Sequence, residues 1–202
     1  MTTLHHPRRT FVARVATVLC GLALSSAVFA ADAPQVALKT SMGEIVLELN
    51  PEKAPITAAN FLQYVKSGFY KGTIFHRVID GFMIQGGGYD AKMKEKKTGK
   101  PIKNESNNGL NNVMYSVAMA RTNVHDSATS QFFINVGDHP NLDYPGRDGS
   151  GYAVFGKVIS GQEVVDKIKG VLVDDTHGMQ NVPVVPIVIQ SATIVKPAKS
   201  VK

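Results

Sequence analysis

The stretch that constrains the fold most is Phe75–Gly88, FHRVIDGFMIQGGG. Phe75, Arg77 and Ile79 alternate with His76 and Val78, the period of two that gives a strand two distinct faces. On that period His76 and Arg77 point to opposite sides, and His76 reads as a hydrogen-bonded core histidine. Asp80-Gly81 is a turn dipeptide, and Phe82–Gln85 reads as a second short strand. A hairpin here sets Arg77 beside Phe82, Met83 and Gln85. A cation against an apolar wall is an unusual neighbourhood, because charges are seldom buried unpaired.

The same alternation recurs along the chain. Gln35–Thr40 and Glu44–Asn50 flank Met42-Gly43 as a hairpin, and Asn111–Thr122, Ser130–Val136, Tyr152–Ile159 and Pro186–Val195 are further strands. Between them lie two helical patterns. Ala58, Phe61, Leu62 and Val65 give Pro51–Ser67 one apolar face, with Pro55 suited to open the helix and Gly68 to close it. In Gln162–Lys169, Val164, Val165 and Ile168 face inward, and Gly170 ends the turn. Asn135–Gly151 is loop, and Gly86–Gly109, rich in lysine, reads as a solvated surface loop. Eight short strands, two helices and no βαβ rhythm imply an all-β protein, an antiparallel closed sheet.

The ends of the chain serve another purpose. Arg8, Arg9 and Arg14 precede the apolar run Val15–Phe29, and Val28-Phe29-Ala30 offers small residues at a cleavage site. The run is shorter than the ~20 residues a membrane span needs, so residues 1–30 read as a cleaved signal and residues 31–202 as one domain. The general secretory route and the twin-arginine route, suggested by Arg8-Arg9, both remain open. Lys196–Lys202 reads as a frayed tail. Without its leader the chain keeps 19 bases and 16 acids on 172 residues, a modest charge that does not argue for nucleic acid. The sole cysteine, Cys20, lies in the leader, so the exported domain must be held by its core alone.

Several chemistries are excluded by pattern. The glycines at 86–88 and 99 lack the Gly-x-x-x-x-Gly-Lys-Ser/Thr spacing of a phosphate loop. The basic loop carries one aromatic, Tyr89, where a nucleic-acid surface wants several. The six histidines show no paired spacing for a metal. No Gly-x-Ser-x-Gly elbow and no thiol outside the leader are present. A reaction that breaks no covalent bond survives all of these exclusions.

FHRVIDGFMIQGG, with SVAMART at Ser116–Thr122 and SQFFINV at Ser130–Val136, resembles the cyclophilins, the peptidyl-prolyl cis-trans isomerases, and within them the small exported proteins of Gram-negative bacteria. The resemblance runs from about Gln35 to Val195. It implies an eight-stranded barrel with a helix at each end and an active surface on its outside, with no cofactor and no metal. It implies Arg77 as the catalytic cation, with Gln85 as its orienter. Phe82, Met83, Phe133 and Leu142 become the pocket for the proline ring. Gln131, Ala120, Arg121 and Tyr152 complete the peptide-binding surface. In SQFFI, Phe132 and Phe133 must face opposite ways, one to the core and one to the site. Many eukaryotic members carry a tryptophan where this chain has Asn141, and a histidine where it has Tyr152. In the family, catalysis survives the loss of that tryptophan, whereas tight cyclosporin binding generally does not. The partners implied are proline-containing peptides and unfolded exported proteins, met in the periplasm by a monomer that no longer touches the membrane. A peptide-binding chaperone using the same groove with little turnover is the alternative; the intact Arg77 favours the enzyme.

Overall fold

The computed structural model describes residues 1–3, 33–147 and 149–196. The chain divides into two units, Met1–Ala31 and Asp32–Lys202. Residues 4–30 of the expected signal, its cleavage point and all of the expected tail but Lys196 lie outside the described residues. Among those residues, every helix and strand belongs to the second unit.

The alternating segments become β1 (Gln35–Thr40), β2 (Gly43–Leu49), β3 (Thr73–Ile79), β4 (Met83–Asp90), β5 (Ser116–Met119), β6 (Phe132–Asn135), β7 (Val154–Ser160) and, after a ribbon of two further strands, β10 (Ile187–Val195). Their order around the sheet is β1-β10-β3-β4-β6-β5-β7-β2. Every pairing is antiparallel, and β2 closes the circle on β1. Closure satisfies the backbone at both edges, and the inward side chains fill the interior: Val36, Leu38, Ile45, Leu47, Phe75, Phe132 and Phe155 are fully buried.

Two helices pack onto this core. In α1 (Pro55–Lys66), Ala58, Phe61 and Val65 are buried, and the Phe61 ring meets Tyr70 at 5.1 Å, Phe132 at 5.4 Å and Phe155 at 5.2 Å. The free N–H groups of its first turn meet the carboxylate of Glu105, which accepts from Ile56 N at 3.0 Å and Thr57 N at 2.8 Å. An anion suits a helix N-terminus, so the expected solvated loop is in part a structural strap. In α2 (Gln162–Lys169), Val164, Val165 and Ile168 are buried as their spacing predicts.

Three departures from simple periodicity matter for the site. First, β3 carries a bulge: Phe75 pairs with Gly86 and Arg77 with Gln85, leaving His76 as the extra residue. The bulge shifts the phase, so Phe75 and Val78 both enter the core, and His76 lines the same outer groove as Arg77. The opposite-faces reading of His76 is therefore corrected. Second, Gly86–Gly88 belong to β4 rather than to a loop. Side chains are excluded at Gly86 and Gly87, where a Cβ would sit 2.9 Å from the Ile74 carbonyl and 2.8 Å from the Tyr70 ring, and at Gly88 a Cβ would lie 2.6 Å from Gln131 and displace that side chain. Third, β8 (Val173–Thr176) and β9 (Met179–Pro183) form a separate two-stranded ribbon, which the strand patterns did not reveal. Its turn, His177-Gly178, has φ of 54° and 74°, the left-handed pair that a tight hairpin requires.

Candidate active site

The outer face of β4, β5, β6 and β7 carries a second, smaller apolar cluster. Met83, Ala118, Phe133 and Val154 are buried in it, and Phe82, Ala120, Leu142 and Tyr152 pack around them. Because side chains alternate across a strand, Phe132 joins the barrel core while Phe133 joins this outer cluster. The cluster surrounds a pocket of about 290 Å³ lined by Arg77, Phe82, Met83, Gln85, Ala120, Arg121, Phe133, Leu142 and Tyr152. Nine of the ten residues expected at the site thus line one cavity. The tenth, Gln131, lines an adjoining groove with Arg77 and Gln85.

Arg77 is half-buried at the seam between the two cavities. Among the described residues its guanidinium takes part in no hydrogen bond or ion pair. Gln85 stands opposite Arg77 on β4, yet its Nε2 donates to Gln131 Oε1 at 2.9 Å rather than binding the guanidinium. The expected orienter is thus committed to Gln131, and the donors of Arg77 are left without a partner among the described residues. Beside it His76 is only 3% exposed, its ring 4.7 Å from that of Tyr89. Its Nδ1 has no hydrogen-bond partner among the described residues, unlike the satisfied core histidine expected. Burial pushes its pKa down to about 4, the Ile74 carbonyl opposes this, and the Arg77 charge adds to it.

The far wall comes from loops. Leu142 ends a short 3-10 turn, Pro140–Leu142, and its carbonyl accepts from Tyr152 N at 2.8 Å. Asp143 anchors the turn by accepting from Asn112, at 2.6 Å from the backbone N and 2.9 Å from Nδ2. Tyr152 meets Phe133 edge-on at 5.7 Å. Arg121 lies with its guanidinium 4.6 Å from the Tyr152 ring centroid, and its Nε donates to Gly151 O at 2.8 Å. Its side chain, not only its backbone, therefore shapes the wall. Asn141 is exposed next to Leu142. Sequence reasoning missed Met179 and Gln180, which bring β9 to the groove beside Arg77; the His177-Gly178 dipeptide was the available signal.

Apolar walls closing on a small ring, with a guanidinium at the rim, fit a proline held beside a hydrogen-bond donor. The model of the family described as cyclophilin type peptidyl-prolyl cis-trans isomerase matches residues 35–194. Peptidyl-prolyl cis-trans isomerase A of Dickeya dadantii is 55% identical over 188 residues, covering 93% of this chain and 98% of that protein. A peptidyl-prolyl cis-trans isomerase of Acinetobacter baylyi is 57% identical over 182 residues, covering 90% and 95%. Among solved structures, a cyclophilin type isomerase of Cryptosporidium parvum, crystallised in the presence of the dipeptide Ala-Pro, superposes with a TM-score of 0.67 at 28% identity, covering 80% of this chain and 99% of that one. The chain belongs to the cyclophilin-type peptidyl-prolyl cis-trans isomerases and is an isomerase of that class.

Proposed function

We propose that this chain turns X–Pro peptide bonds by gripping the proline ring in the 290 Å³ pocket and aiming Arg77 at the proline nitrogen. The barrier to rotation, ~18–20 kcal/mol, is the loss of amide conjugation. In the twisted state the lone pair returns to nitrogen, which becomes a better acceptor. A donor at that nitrogen stabilises the twisted state more than either planar one, and only such a difference accelerates the reaction. The guanidinium suits this role because its planar fork is pre-organised and always charged. A charge-assisted hydrogen bond is worth ~1.5–3 kcal/mol, about one to two powers of ten in rate. Holding the ring and the flanking peptide adds to kcat/KM through binding, with Gln85 and Gln131 fixed to each other at 2.9 Å and Ala120, Arg121 and Tyr152 on the opposite wall.

The observation that carries this reading is an arginine without a partner among the described residues at the rim of a pocket walled by Phe82, Met83, Phe133 and Leu142. A protease-coupled assay on a short X–Pro peptide tests it: a rate proportional to enzyme is expected, and none above the uncatalysed rate would refute it. The clients we infer are unfolded exported proteins in the periplasm, met after removal of residues 1–30 by a monomeric domain of residues 31–202. The basic segment, the apolar run and the Val28-Phe29-Ala30 site support this. N-terminal sequencing of the exported fraction should read Ala31 first; Met1 would refute both cleavage and location.

A further inference from the structure

We propose that His139 is a positioning residue that ties together the two loop-borne walls of the proline pocket, and so sets how tightly the ring is held. His139 is not among the residues that line the pocket; it stands behind two that are. Its Nε2 lies 2.8 Å from the Phe82 carbonyl oxygen. That oxygen only accepts, so Nε2 carries the proton. The imidazole also meets the Phe82 ring edge-on at 4.9 Å. In the other direction, the His139 carbonyl accepts from Leu142 N at 2.9 Å, and its own N–H donates to Asn112 O at 2.8 Å. Asn112 is the residue that holds Asp143, just past Leu142. One residue thus joins the turn that carries Phe82 to the 3-10 turn that carries Leu142.

The neighbouring backbone is shaped to admit this ring. A Cβ at Gly137 would lie 3.0 Å from the Gly81 carbonyl and 3.3 Å from two atoms of the imidazole, so a side chain there crowds both the turn and the histidine. Phe82 needs such a tie because it sits in a turn after β3, held by its N–H to Ile79 O at 3.1 Å and by Val136 N to its carbonyl at 3.0 Å.

The inference rests on the reading of Phe82 and Leu142 as the grip on proline. A grip holds the ring equally in the planar and twisted states, so weakening it raises KM and leaves kcat. His139→Ala should raise KM for an X–Pro peptide about fivefold, the scale of one hydrogen bond, with kcat within about twofold. His139→Gln, which can present an amide N–H to the same carbonyl, should restore most of the loss. In a Phe82→Ala background, His139→Ala should change KM by less than about twofold, because the ring it positions is gone. Gly137→Ala, measured alongside, should raise KM in the same direction by crowding the imidazole. An unchanged KM in His139→Ala, equal losses in the Ala and Gln variants, or full additivity with Phe82→Ala would overturn the proposal. Phe82→Ala alone separates the two readings. An unchanged KM there defeats the grip itself, whereas a raised KM with His139→Ala silent defeats only the role of His139.

Discussion

The site has two halves of different construction. Arg77, Met83, Gln85 and Phe133 stand on β3, β4 and β6, strands paired on both sides within the closed barrel. Phe82, Arg121, Leu142 and Tyr152 stand on turns and loop ends, held by turn and side-chain hydrogen bonds and ring contacts rather than by strand ladders. The strand half carries the charge that must act on the twisted bond, where a small displacement is costly in rate. The loop half carries the apolar grip, which is less sensitive to direction. The placement follows the demand for geometry: a directional hydrogen bond on the rigid frame, a contact surface on the loops.

That contrast is broken most sharply at Arg77. Arg77→Ala should lower kcat/KM at least about a hundredfold, ~2.7 kcal/mol, and leave the melting temperature close to wild type. Arg77→Lys should recover little, because a point charge lacks the fork. Next comes the histidine beside it in the groove. The pKa of His76 is lowered from 6.5 to about 4, so the folded protein holds it neutral while the unfolded chain takes up a proton as pH falls through 6.5. Its contribution is complete above that value and is lost progressively towards 4, about 2 kcal/mol between pH 7 and pH 5. Denaturant midpoints measured across that window should show the loss, and His76→Gln should flatten it.

How much was legible in the sequence follows the same division. The alternating runs marked all eight barrel strands, and the Phe132-Phe133 pair parted to opposite faces because a strand leaves no other choice. His76 was misplaced because a bulge inserts one residue and reverses the phase, and period counting assumes there is none. Gly86–Gly88 looked like a loop because glycine is usually read as a breaker. Here Gly86 and Gly87 are present because backbone and packed rings leave no room for a Cβ, and a Cβ at Gly88 would push against Gln131, a packing fact invisible along the chain. β8 and β9 were hidden by Asp174 and Asp175, polar residues that an exposed ribbon tolerates. The Gln85–Gln131 bond and the bridge through His139 join segments 46 and 57 residues apart, and no spacing rule reaches that far.

Two smaller effects sharpen the comparison. Leu142→Ala, on the loop half, should raise KM about tenfold with kcat within about twofold, since it removes contact area and not the directed donor. Steady-state kinetics on one peptide check the split. Gly88→Ala, on the strand half, drives a Cβ to 2.6 Å from the Gln131 side chain. That side chain is flexible and can yield, so kcat/KM should fall only about threefold, ~0.7 kcal/mol. Combined with Gln131→Ala, the substitution should cost nothing more, because the side chain it displaces has already been removed.

The most direct measurement watches the bond turn while the peptide stays bound. Nuclear magnetic resonance exchange spectroscopy on an X–Pro peptide, with wild-type protein and Arg77→Ala each at saturation, gives the cis–trans rate in the complex, and a titration gives Kd. If Arg77 acts on the twisted state, the bound rate falls at least about a hundredfold in Arg77→Ala while Kd stays within about threefold. A bound rate that persists while Kd rises would show that Arg77 only holds the peptide, and would contradict the mechanism.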